Sequence, residues 1–184
     1  MTAAGFDGSW LAVIDMQEVF ADPASGWHTP GFEGAAAGIR RLLPAFAGRT
    51  VFTRFVPPAE PAGSWRAYYE MWPWARQLPE APLWRLAGEL AAVGDATLDR
   101  PTFGKWGTEL DALTGRTRDL VLAGVSTDCC VLSTALAAAD DGVTVRVAAD
   151  ACAGASEADH TRALDAMALY APLITLTTVD ALTG

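Results

Sequence analysis

The sequence predicts an α/β protein: a three-layer α/β/α sandwich around a six-stranded, mostly parallel sheet. Three observations predict it. Short β-branched and aromatic runs alternate with alanine-rich, helix-periodic stretches along the whole chain, a pattern that favours a parallel sheet covered on both faces. The chain has 184 residues, 51% of them apolar, enough for one buried core. No internal repeat, long linker or low-complexity tract beyond the alanine-rich helices divides it, so residues 1–184 read as a single domain.

The elements follow in order. Residues 9–15 (SWLAVID) are an apolar run ending in a carboxylate, the first strand. Residues 34–46 carry apolar periodicity with arginines on one side, a helix. Residues 50–56 (TVFTRFV) are β-branched and aromatic and stop at a Pro-Pro pair, the second strand. An irregular stretch rich in proline and aromatics runs over 57–84, and residues 96–99 form a short third strand. A helix over 108–113 has Gly115 to end it. Residues 120–125 (LVLAGV) are the clearest buried strand, and a helix over 127–140 follows almost at once. Residues 143–149 make the fifth strand, 156–170 a helix that opens on a capping-box pattern with Asp159 in the usual Glu place, and 173–177 the sixth strand.

Composition narrows the function. Thirteen Lys and Arg against 22 Asp and Glu leave a net charge of −9, which argues against a general nucleic-acid binder or a binder of anionic membranes. No segment approaches the roughly 20 apolar residues of a membrane span. Residues 1–8 contain Asp7 and no Lys or Arg, unlike a secretory signal. Three cysteines, two of them adjacent, do not make a disulfide framework and suit a reducing cytoplasm. All the basic residues are arginine except one, Lys105.

In an open parallel sheet, sites form beyond the carboxyl ends of the strands. Asp15, Met16 and Gln17 follow the first strand, Asp99 and Arg100 end the third with Lys105 close behind, and Ser126 to Cys130 follow the fourth. An acid, one or two bases and a thiol are thereby expected on one edge. Cys129 and Cys130 fall in the first turn of a helix, where unpaired N–H groups and the helix dipole stabilise a thiolate, so the thiol is expected to titrate below its free value of about 8.5. The backbone around Ser126 and Thr127 offers N–H groups for an oxyanion. Cys130 is taken as the functional thiol; Cys129 and Cys152 read as packing residues. Asp15 is placed to accept the thiol proton. His28, in a loop, and His160, within a helix, read as solvated or packing residues, which leaves a Ser–His or Cys–His mechanism poorly supported. No clustered zinc-ligand spacing, P-loop or dinucleotide-binding glycine pattern occurs, so no metal and no cofactor is expected.

Three stretches together resemble the isochorismatase-like cysteine hydrolases, the group that includes nicotinamidases, N-carbamoylsarcosine amidases and ureidoacrylate amidases. Val13-Ile14-Asp15-Met16-Gln17 with Phe20 is similar to the opening V-I-D-x-Q-x-x-F. Gly124 to Val131, followed by Thr134-Ala135, is similar to the nucleophile segment G-V-x-T-D-x-C-V-x-x-T-A, and residues 147–153 (VAADACA) resemble the strand and D-A-C-A turn after it. The resemblance implies Asp15 as general base, Cys130 as nucleophile, a non-proline cis peptide at Val125–Ser126 that aims backbone N–H groups at the substrate oxygen, and assembly as a homodimer or homotetramer.

The family's third catalytic residue is a lysine after strand three, in a K-x-x-[FY]-[SG]-x-F setting. Here the stretch reads Arg100-Pro101-Thr102-Phe103-Gly104-Lys105-Trp106, which puts Arg100 at the lysine position and Lys105 five residues later. Three readings stand: Arg100 serves as a fixed positive charge, Lys105 reaches the site from the following turn, or the triad is broken. The single lysine in an otherwise all-arginine chain favours Lys105, because an ammonium can exchange a proton and a guanidinium cannot. Residues 65–84 hold four of the seven tryptophans and two of the three tyrosines, which suits a lid, a pocket wall or a subunit contact. Gln17, Phe20, Trp65, Tyr68 and Trp106 are the candidate substrate contacts, with Ser126 and Thr127. The nicotinamidase metal ligands have no match here.

The implied function is metal-independent hydrolysis of a C–N bond in a small amide, ureido or carbamoyl compound, through a Cys130 thioester. The rivals are a non-catalytic binding domain and a vinyl-ether hydrolase of the isochorismatase kind.

Overall fold

Six runs rich in Val, Leu, Ile and Phe form one sheet in the computed structural model, which describes residues 8–93 and 95–184. The strands are β1 (Trp10–Ile14), β2 (Thr50–Phe55), β3 (Ala96–Arg100), β4 (Asp119–Val125), β5 (Thr144–Ala153) and β6 (Ile174–Thr177). They lie in the order β3-β2-β1-β4-β5-β6, all parallel. Successive residues of β1 point to opposite faces, as a strand requires. Leu11 and Val13 pack into one core with α1 (Glu18–Ala21), α2 (Phe32–Leu42) and α7 (Val179–Thr183). Ala12 and Ile14 pack into the other, with α4 (Thr108–Leu113), α5 (Leu132–Asp140) and α6 (Glu157–Ala168). This is the six-stranded α/β architecture the sequence predicts, and among the described residues no helix is long and apolar enough to cross a membrane. The reading of residues 1–8 as no secretory signal falls on residues 1–7, which lie outside the described residues.

Three elements differ from expectation. The stretch 57–84 contains a short helix, α3 (Trp65–Met71), and two 3-10 turns that begin at Pro73 and Pro82, where proline presets the first helical φ. The helix predicted over 127–140 opens with a π turn, Thr127–Val131, before α5. The D-A-C-A residues form no turn. β5 runs through them, because a register shift between Leu122 and Gly124 lets Gly124 pair with Cys152 and Val125 with Ala153. Gly124 has φ +122°, and a Cβ there would sit 2.1 Å from the Ile14 carbonyl oxygen, so this irregularity needs glycine.

The sheet order decides where a site can form. From β1 the chain builds outward to β2 and β3, then returns to lay β4, β5 and β6 on the other side. The crevice between the carboxyl ends of β1 and β4 is this switch point.

Candidate active site

Asp15 follows β1 directly, with φ +48°, a left-handed conformation that Asp tolerates better than most residues. Its side chain is fully buried. Oδ1 accepts a 2.6 Å hydrogen bond from Thr53 Oγ1 on β2, and the Asp15 N–H donates to the same hydroxyl at 3.2 Å. Oδ2 lies 2.9 Å from Lys105 Nζ.

Lys105 is also fully buried. Its ammonium donates to the Thr102 carbonyl at 2.7 Å and sits 5.1 Å from the centre of the Phe55 ring. Its backbone N–H donates to Thr134 Oγ1 (2.9 Å), and that hydroxyl donates to the Cys130 carbonyl (2.6 Å). One threonine on α5 thus ties the lysine loop to the turn that carries the thiol.

Arg100 is elsewhere. It ends the edge strand β3, two strands from β1, and forms an ion pair with Glu109 at 3.1 Å. The guanidinium is held against α4, and the charge beside Asp15 comes from Lys105. The reading in which Arg100 supplies it is corrected. A strand spacing of about 4.8 Å puts the end of β3 about 10 Å from β1, and the five-residue loop after Arg100 brings Lys105 back across that gap.

Cys130 lies in the π turn, 3% exposed, at the base of a cavity of about 380 Å³. Burial, and then the negative charge of Asp15, push its thiol well above the ordinary range; Lys105 opposes them in part. The expectation of a lowered thiol is therefore reversed. Desolvation and the neighbouring carboxylate both favour the protonated form of this sulfur. The Val125–Ser126 peptide that precedes the turn is cis.

The cavity above Cys130 is walled by Phe20, Trp27, Phe55, Tyr68, Trp72 and Phe103, with Ser126, Asp128 and Cys129 on the side of the π turn. Phe20, Tyr68 and Ser126 are where the sequence places them. Four expected contacts are not. Gln17 is spent as a clamp: its amide donates to the carbonyls of Phe55 (3.1 Å) and Trp84 (2.8 Å) and accepts from the Phe55 N–H (2.7 Å). Trp106 packs into the core on the opposite face of the sheet from the aromatic cluster and donates to Asp141 at 3.1 Å. Thr127 is fully buried against His160 Nδ1 at 2.8 Å. Trp65 packs behind the wall, 5.0 Å from Phe103 and 6.1 Å from Phe55 between ring centres.

Trp72 belongs to the aromatic stretch 65–84 read as a lid, a pocket wall or a subunit contact; sequence reading missed Trp27, Phe55, Phe103, Asp128, Cys129 and His28 as wall residues. Asp128 and Cys129 lie within the quoted nucleophile segment, so that motif is the signal for them; Cys129 lines the cavity and also packs against the core, as its reading as a packing residue expects. Trp27 and His28 sit in the loop after α1 and carry no local pattern. A larger open cleft of about 830 Å³ lies along α1, beside Glu18, Asp22 and Arg85, and none of Asp15, Lys105 and Cys130 lines it.

A parallel α/β/α sandwich with an acid, an ammonium and a thiol buried at its switch point defines an α/β protein of enzyme type. Residues 9–179 match the isochorismatase domain, and the chain belongs to the isochorismatase family of hydrolases. Its fold is similar to that of a cysteine hydrolase from Pseudomonas syringae pv. phaseolicola, with TM-score 0.82 and 20% identity over 95% of this chain and 90% of that one. It is also similar to N-carbamoylsarcosine amidase from Thermoplasma acidophilum, with TM-score 0.74 and 19% identity over 94% and 96%. At such identities the likeness is one of fold. A stretch of 50 residues is 46% identical to isochorismatase domain-containing protein 2 of Xenopus laevis; it covers 27% of this chain and 24% of that protein. The matched stretches span less than half the length of the curated relatives.

Proposed function

We propose that the chain is a metal-independent cysteine hydrolase that cleaves a C–N bond of a small amide, ureido or carbamoyl compound. The observation that carries this reading is the dry cluster in which Lys105 Nζ stands 2.9 Å from Asp15 Oδ2, next to the buried Cys130 thiol at the base of an aromatic cavity.

The protonated resting thiol assigns the first step to Asp15. As the sulfur attacks the carbonyl carbon, its proton passes to the carboxylate, and general-base help of this kind is worth about 10²–10⁴ in rate. The carbonyl π electrons move to oxygen, and the negative charge is met by backbone N–H groups of the π turn. Asp15 then returns the proton to the departing nitrogen, the C–N bond breaks, and ammonia or an amine leaves a Cys130 thioester. Water attacks the thioester carbon while Asp15 takes its proton. Collapse expels the thiolate, which recovers a proton from Asp15 as the carboxylic product departs. Lys105, 2.9 Å from Asp15 Oδ2, offsets the negative charge that develops at the carboxylate and on sulfur.

Three free cysteines support a reducing compartment such as the cytoplasm. Exposed Leu169, Leu173 and Leu176, on and next to the edge strand β6, support assembly with further copies of the chain as a homodimer or homotetramer.

The test is an ammonia-release screen over small amides and ureas. On a substrate found there, Cys130→Ala and Lys105→Ala should each lose at least about 10³ in kcat, and Arg100→Ala should stay within about twofold of wild type because its charge is held by Glu109. A 1:1 acyl adduct on Cys130 should appear by mass spectrometry after rapid quench. Full activity in Lys105→Ala would refute the assignment of the cation. Turnover of isochorismate that survives Cys130→Ala would replace amide cleavage by vinyl-ether hydrolysis.

A further inference from the structure

The wall of the Cys130 cavity has a charge character that the hydrolase reading alone does not use. We propose that this cavity selects substrates whose non-reacting end is an organic cation, an ammonium or alkylated amine held among aromatic faces against the Asp128 carboxylate. The inference rests on the hydrolase reading of the same site and supplies its substrate class.

The rings meet at mixed angles. Trp27 meets Phe55 at 78° and Trp72 at 73°, with ring centres 5.8 and 6.1 Å apart, and Tyr68 meets Phe103 at 80°, while Phe20 and Trp27 (15°) and Phe55 and Phe103 (22°) lie near parallel. The steeply set rings close the cavity on several sides, so a rounded group meets aromatic surface in more than one direction. A cation among such faces is attracted by the ring quadrupoles, and more strongly as it loses water.

Asp128 completes the enclosure. Its Oδ1 accepts from Ser126 Oγ at 3.0 Å and from the Ala155 N–H at 2.9 Å, which fixes the carboxylate in place. Oδ2 receives only the thiol of Cys129 at 3.5 Å, a weak donor, so a lone pair remains for a ligand. Among the described residues that line the cavity there is no lysine or arginine. Lys105 lies below, neutralised by Asp15. The same negative field reaches Cys129, which burial, and then Asp128, push up to about 11. A carboxylate-bearing substrate would face Asp128, with His28 the one basic side chain among the lining residues. A net charge of −9 adds a long-range preference for cations.

Binding can be read without turnover, because Trp27 and Trp72 line the cavity and their fluorescence reports its occupancy. Three probes that share a phenyl ring separate the cases: benzyltrimethylammonium, its uncharged isostere neopentylbenzene, and benzoate. The cation should bind wild type at least about tenfold tighter than either of the others. Asp128→Asn should weaken the cation about three- to tenfold and leave the isostere unchanged, and Trp72→Leu should weaken the cation more than the isostere. Equal affinity for the isostere would mean a merely apolar pocket, and benzoate binding as tightly would mean an anion site; either result overturns the proposal. The wild-type comparison decides even if Asp128→Asn fails to fold. Cation binding that persists in Cys130→Ala, with no amide cleaved by wild type, would sink the hydrolase reading alone. Faster kcat/KM on an anionic amide than on its cationic counterpart would sink the cation preference alone.

Discussion

Thr134 shows how a single side chain joins distant parts of the chain. Its hydroxyl accepts from the Lys105 N–H and donates to the Cys130 carbonyl, so it spends both of its hydrogen-bonding roles on holding the Lys105 loop against the Cys130 turn. Thr134 touches no reacting atom and acts as a positioning residue. Thr134→Val keeps the shape and removes the oxygen, which leaves a buried N–H without a partner. The expected loss is about 1–3 kcal/mol of unfolding free energy in urea titration, with a fall in kcat larger than any change in KM. Thr134→Ser should restore most of both. A valine variant as stable and active as wild type would show that the lysine loop holds itself.

At the scale of elements, the close approach of β1 and β4 governs the site. Asp15 leaves β1 and the Cys130 turn leaves β4, and the two strands pair through Ile14 and Gly124 at their carboxyl ends. Gly124 has no room for a side chain, and the register shift beside it sets how β5 runs on to Ala153. Gly124→Ala would drive a methyl group into the Ile14 carbonyl and force a left-handed φ on alanine. A destabilisation of more than about 3 kcal/mol is expected, seen as a large drop in melting temperature or as loss of soluble protein. A variant that melts within a few degrees of wild type would show that β4 can relax away from β1. The connection from β2 to β3 is anchored at the same end. Gln17 bonds to Phe55 on β2 and to Trp84 in the connection, and so holds the aromatic segment over the crevice.

Across the whole molecule, buried thiols give stability a dependence on pH. Burial raises Cys130 well above its ordinary range and pushes Cys152 up to about 12. The unfolded chain releases these protons near pH 9, while the folded protein keeps them. Above pH 9 the folded state therefore binds more protons than the unfolded state, and stability falls as pH rises. Each such thiol contributes a loss of about 1.4 kcal/mol per pH unit between its unfolded and folded values. Urea unfolding at pH 7.5 and pH 10 should show this decline, and Cys152→Ala should remove about one thiol's share of it. A flat profile over that range would mean that the thiols titrate as if exposed.

The alternation of strands and helices, and Asp15 and Cys130 beyond the ends of their strands, were legible in the sequence. Each is written in a short window: β-branched runs, a carboxylate that ends an apolar stretch, a thiol in the first turn after a buried strand. Lys105 was half legible, since its singularity among arginines pointed to it while the motif spacing pointed to Arg100. Only tertiary structure decided between them, because the choice depends on β3 being the edge strand and on Glu109 holding the guanidinium. The same holds for the proton on Cys130. A helix terminus is visible in a local pattern, but the carboxylate beside the thiol, Asp15, arrives from more than a hundred positions away. Trp27, Trp72 and Asp128 become one wall for the same reason. Local sequence determines which face a side chain takes and where an element ends. Sheet order and register determine which of those ends meet, and the chemistry lies where they meet.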